Sequence, residues 1–114
     1  MELKRIVDKV DGQVVFGDTF MKTEIDSACG ADLMSDVLAC NINPHTLLIT
    51  SLINIQVMRT ADIVDLAAIL FVRGKSPVDD VIKLAKKSSI PLIVTDLDMF
   101  ETCGRLFELG LKGS

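Results

Sequence analysis

Three short polar clusters hold most of the side chains that could bind or react. They are Thr50-Ser51 with Asn54, Arg73-Gly74-Lys75 with Ser76, and Thr95-Asp96. Arg73 and Lys75 supply positive charge, and Gly74 permits a close backbone approach. Together with nearby hydroxyls and helix N-termini, they suit an anion such as a phosphate or a nucleotide. The same residue types also serve as helix caps and turn formers. A second chemistry would use a carboxylate, Asp32, Asp36 or Asp96, as a general base in a small enzyme.

Motifs for other chemistries are missing. The seven glycines form neither G-x-x-x-x-G-K-[ST] nor G-x-G-x-x-G, and there is no G-x-S-x-G. The one histidine, His45, excludes a multi-histidine metal site and reads as a surface residue of the Asn43-Pro44-His45 turn. The cysteines Cys29, Cys40 and Cys103 are odd in number and form no C-x-x-C pair, so neither a disulfide framework nor a zinc ribbon is indicated. They read as small buried hydrophobes, with Cys103 the best fit. Cys29, beside Gly30, is the candidate for an exposed, redox-reactive thiol. The sequence assigns no catalytic residue, metal ligand or cofactor.

The elements that position these clusters follow from hydrophobic periodicity. Leu3, Ile6, Val7 and Val10 mark a first helix, closed by Asp11-Gly12. Gln13–Phe16 reads as a strand, residues 23–29 as a second and residues 32–39 as a short helix. Thr46–Thr50 is an apolar run typical of a strand buried on both faces. Residues 54–65 predict a helix, 67–72 a strand, and Ser76-Pro77 the start of another helix through a capping box with Asp79. Residues 90–94 form a strand, with Pro91 at its start or at a sheet edge. Asp98 caps a last helix and Gly110 ends it. Lys112-Gly113-Ser114 reads as a loose end. Alternating strands and helices predict an α/β domain with βαβ crossovers and a mostly parallel sheet of four to five strands, in two or three layers. The polar clusters then lie at the carboxyl ends of the strands, where such sheets bind ligands.

The chain has 114 residues, enough for one domain spanning 1–114. A hydrophobic share of 49% can supply a core. The net charge of −4, with no Trp or Tyr to stack on bases, argues against nucleic acid as a partner. No apolar run reaches the roughly 18–20 residues of a membrane span, and no signal-peptide pattern follows Met1, so the cytoplasm is the expected compartment.

Several segments resemble the DRTGG domain family. They are Leu48-Ile49-Thr50, Val57-Met58-Arg59-Thr60-Ala61 and Ala68-Ile69-Leu70-Phe71-Val72-Arg73-Gly74 followed by Pro77. Ile90-Pro91-Leu92-Ile93-Val94-Thr95-Asp96 and Met99-Phe100-Glu101-Thr102 follow them. Residues 31–38 suit the short stand-alone members. The family also resembles the N-terminal, non-catalytic domain of HPr kinase/phosphorylase. The chain departs from the signature at two places. Ser51-Leu52-Ile53-Asn54 stands where an acidic–Arg pair would follow the buried strand, and Val72-Arg73-Gly74 stands where Thr-Gly-Gly would follow the next. The resemblance implies a non-catalytic regulatory or ligand-sensing α/β module.

Two functions remain in view. One is that module, with a nucleotide or other phosphate-containing ligand at the strand ends. The other is an accessory subunit of a larger metabolic or redox enzyme, with no ligand of its own. A homodimer is expected in either case. The helix at 54–65 is apolar around more than one face, so Ile55 and Met58 would meet a second copy, with Arg59 at the margin or paired to Asp62; the alternative is that the short helix at 32–39 folds over the same surface within one chain.

Overall fold

The sheet is built outward from Thr46–Thr50, which is buried at every residue. In the computed structural model, which describes residues 1–114, this strand is β3 of six. The strands are β1 (Gln13–Phe16), β2 (Ser27–Gly30), β3, β4 (Ala68–Phe71), β5 (Leu92–Val94) and β6 (Lys112–Gly113). Their order across the sheet is β1-β5-β4-β3-β2-β6. All neighbours are parallel except β1, which runs antiparallel to β5. The helices are α1 (Leu3–Lys9), α2 (Met34–Ala39), α3 (Ile55–Val64), α4 (Asp79–Ser88) and α5 (Met99–Leu109). None is long and apolar enough to cross a membrane.

Side chains alternate across a strand, and that alternation divides the core in two. Leu47, Ile49, Leu70 and Ile93 face α1 and α5, where they pack with Leu3, Ile6, Val10 and Leu106. Leu48, Ile69, Phe71 and Leu92 face α2, α3 and α4, where they meet Val37, Val57, Met58, Ala61, Val81 and Ala85. Each cluster contains 13 buried residues, so the sheet is covered equally on both faces and the architecture has three layers. A central parallel sheet needs this double cover because its strands expose no polar face.

The sheet has one strand more than the four to five expected. Lys112-Gly113 is ordered, not loose, and lies parallel to β2 with Ser27 opposite Lys112. The cause lies upstream. Gly110 ends α5 with φ +107, and buried Leu111 anchors the chain in the core, so the next residues run beside β2. The Ser114 amide donates to the Ala28 carbonyl at 3.1 Å.

Two further expectations change. Ser76 does not cap α4, whose N-cap is Val78. Val78 is extended because its amide donates to the Ile53 carbonyl at 3.2 Å, which holds residues 76–78 against the start of α3. The cysteines also pair. A disulfide joins Cys29 on β2 to Cys40 at the end of α2, with a Cα separation of 6.7 Å, and Cys103 is free. Cys29 is buried, so it is not the exposed thiol expected from its place beside Gly30.

Candidate functional site

Four loops meet at the carboxyl ends of the parallel strands. They follow β2, β3, β4 and β5, and apart from Thr50, the last residue of β3, they carry every residue of the three polar clusters. The loops after β4 and β5 part to opposite faces, since α4 packs on one side of the sheet and α5 on the other. That topological switch is where open α/β sheets form a binding crevice.

Here the crevice is closed by backbone. The Arg73 amide donates to the Leu97 carbonyl at 2.7 Å, and the Gly74 amide to the Thr95 carbonyl at 2.9 Å. Arg73 and Gly74 have φ values of +66 and +67, which fold residues 72–75 into a tight turn. A Cβ at Gly74 would stand 3.2 Å from the Asp96 carboxylate. Gly74 therefore makes the turn and its contact with the neighbouring loop. Its amide is already spent and does not meet a ligand. The side chains of Arg73 and Lys75 stay exposed.

Thr50 and Thr95 hold the loops together. The buried Thr95 hydroxyl donates to the Val10 carbonyl at 2.7 Å and accepts the Leu97 amide at 3.3 Å. The buried Thr50 hydroxyl accepts the Leu52 amide at 3.1 Å and donates to Asp32 at 3.3 Å. Asn54 is the N-cap of α3, accepting the Gln56 amide at 3.0 Å. Asp98 caps α5 as the sequence indicated, accepting the Glu101 amide at 2.8 Å.

The residues separate into two groups of opposite character. Over β2, β3 and β4, Asp32 accepts the Ser51 amide at 2.7 Å, with Thr50 beside it and Lys75 close enough to act on its charge. Burial raises the Asp32 carboxyl. The Ser51 amide and hydroxyl, the Thr50 hydroxyl and the Lys75 ammonium outweigh burial and hold it below its ordinary value of 3.8. A carboxyl held low is a poor general base near neutral pH, which removes the physical support for Asp32 in that role. Over β5 and β1, Asp96, Thr95, Asp11 and Gln13 line a small polar hollow of about 70 Å³. Asp96 thus lines the hollow with Asp11 while its carboxylate also adjoins Gly74 of the cationic turn.

Sequence reasoning treated Asp32 as a candidate base and missed its contact with Ser51. The only signal was that a carboxylate follows β2 directly, as the hydroxyl pair follows β3. The parallel pairing of Gly30 with Ile49 aligns those two loops.

On α3, Met58 is fully buried, Ile55 is half-buried and Arg59 is exposed. The second apolar face of this helix is covered by α2 and α4 on its flanks, so Met58 is part of the core and offers nothing to a second copy. Arg59 makes no ion pair with Asp62, which accepts the Ser88 hydroxyl at 3.1 Å instead. His45 lies in its exposed turn, its amide donating to the Asn43 side chain at 2.7 Å.

The family profile of the DRTGG domain matches residues 5–109. The chain belongs to the DRTGG domain family. Comparison with curated proteins gives no match. Among solved structures, this DRTGG domain is similar to the CBS and DRTGG domains of the regulatory region of Clostridium perfringens pyrophosphatase, complexed with the activator diadenosine tetraphosphate. The TM-score is 0.67 at 17% sequence identity, over 92% of this chain and 45% of that one. The DRTGG chain thus spans less than half the length of the chain it matches. At this identity the likeness establishes a shared fold.

Proposed function

We propose that residues 1–114 act as one non-catalytic, ligand-sensing regulatory module whose ligand carries phosphate. One observation carries this reading. At the ends of β3 and β4 an internal carboxylate, Asp32, sits on the Ser51 amide at 2.7 Å, with Thr50 beside it and the exposed Lys75 facing it. These are the contacts a phosphate oxygen seeks, and a more highly charged anion can displace the carboxylate. Arg73, exposed on the same turn as Lys75, adds a second cation. Thr50, Ser51, Arg73 and Lys75 are the binding residues on this reading. Asn54, Gly74, Thr95 and Asp96 shape the rim. The family, and a structural neighbour that belongs to a regulatory region with a nucleotide activator, support a sensing role.

The test is thermal unfolding with AMP, ADP, ATP, acetyl phosphate and diadenosine tetraphosphate. A ligand at about 100 times its Kd adds about 2.7 kcal/mol. Lys75→Ala should reduce that gain, and Asp32→Ala should increase it by removing the competitor. No shift with any of them at millimolar levels excludes the phosphate ligand.

A second reading, an accessory subunit of a larger enzyme, is favoured by exposed Phe100 and Phe107. A stoichiometric enzyme copurifying from native lysate would support it, and a ligand response would weaken it.

A further inference from the structure

Two of the five phenylalanines are in water. Phe100 is 85% exposed and Phe107 76% exposed, both on α5. Seven residues apart, they are two helical turns, roughly 10 Å, along one face. Between them is Gly104, where an added Cβ would meet nothing within 4 Å. At the foot of Phe107 is an apolar hollow of about 180 Å³, floored by Ala28, Gly30 and Ile49 and walled by Cys103 and Leu106. A cavity of about 150 Å³ holds a benzene ring, so this hollow is sized for one phenyl group.

We propose that α5 is the surface on which two copies of this chain pair, about a two-fold axis beside Gly104. The pattern is self-complementary in the way a two-fold interface requires. With the helices antiparallel about a point between residues 103 and 104, Phe100 of one copy lies opposite Phe107 of the other and over its hollow. Gly104 lets the backbones approach there. Charge does not decide the pairing: Asp98 and Glu101 stand at the start of α5, Glu108 in its last turn and Lys112 beyond its end. Arg105 is tied to Glu101 at 3.2 Å and to Asp11 at 3.4 Å on the far flank, leaving no cation in the stripe. Each phenylalanine buries on the order of 150–250 Å². Four of them supply roughly 600–1,000 Å², most of the ~1,200 Å² that a stable interface needs. This surface replaces the α3 face, whose Met58 is in the core.

The experiment is light scattering of the full chain at tens of micromolar. The expected mass is twice the chain's 12.4 kDa. Phe100→Glu should weaken the dimer at least tenfold and give monomer. Ile63→Glu, at the most exposed apolar residue of α3, should leave the mass unchanged. Circular dichroism checks that both variants fold. In a Cys103→Ser background, Gly104→Cys should give a covalent dimer with oxidised glutathione. A monomeric wild type at the same concentration overturns the proposal. So does a dimer that survives Phe100→Glu but is lost in Ile63→Glu, or a Gly104→Cys chain that stays uncrosslinked. A monomer that binds a separate enzyme through Phe100 assigns the stripe to that partner, and also overturns it.

Discussion

The Asp32 carboxylate and the Ser51 amide, 19 residues apart in sequence, meet at 2.7 Å above the ends of β2 and β3. This contact links stability to the candidate site, because the group that would compete with a ligand also ties two loops together.

The folded Asp32 carboxyl lies below its ordinary value of 3.8, so its charge stabilises the fold above that pH. The contribution is lost as pH falls through 3.8 and below. Asp32→Asn should cost about 1 kcal/mol at neutral pH, a charged hydrogen bond reduced for solvent exposure. Urea midpoints of both proteins check this. The gap should hold from neutral pH to about pH 5 and narrow toward pH 3; a gap of the same size at pH 3 would contradict the role of the charge.

Thr95→Val keeps the shape of a buried side chain and removes its hydroxyl. The Val10 carbonyl and the Leu97 amide then each lose a partner. About 2 kcal/mol of stability should go. The β5–α5 loop should also show faster amide exchange at Leu97. Unchanged stability would mean that water replaces the hydroxyl.

Gly17 and Gly110 both have φ near +105, yet they should respond differently to alanine. At Gly110 nothing lies within 4 Å of a new Cβ, whereas at Gly17 it would stand 2.6 Å from the Pro91 Cβ and 2.9 Å from its Cα. Gly110→Ala pays only the left-handed backbone penalty, about 1 kcal/mol. Gly17→Ala adds overpacking and should cost about 3 kcal/mol. Equal melting temperatures for the two variants would show that β1 and Pro91 separate easily.

Under non-reducing conditions, iodoacetamide should modify one thiol per folded chain, Cys103, because Cys29 and Cys40 are joined. Burial raises the Cys103 thiol above its ordinary value of 9.0, so the rate should be low at neutral pH and climb past pH 9. Three modified cysteines, read by intact mass, would show that the disulfide is absent.

Much of the fold was legible because local periodicity reports it. Gln13–Phe16 and Thr46–Thr50 occur with the expected ends, and the helix expected at 54–65 is Ile55–Val64, with Asn54 as its cap. Asp98 and Gly110 bound α5 as capping chemistry requires. The α/β class and the mostly parallel sheet follow from the order of those elements. So does the location of the polar clusters at the strand ends.

Contacts between segments distant in sequence were not legible. Ser76-Pro77 carries a valid helix-start signal, but the Val78–Ile53 hydrogen bond keeps the chain extended past it. For Met58 the sequence leaves two covers open, a second copy or the helix at 32–39, and the structure selects the second, with α2 and α4 closing over α3. The Lys112-Gly113 strand is too short to show a period, and buried Leu111 brings it to the sheet edge. The site divides in the same way. Which residues occupy the strand ends follows from local pattern, because a buried apolar run must be followed there by polar turns. Which of them remain free follows from how the loops meet. The Arg73–Leu97 and Gly74–Thr95 backbone bonds and the Asp32–Ser51 contact depend on how loops from different strands meet, and no local pattern encodes that distance.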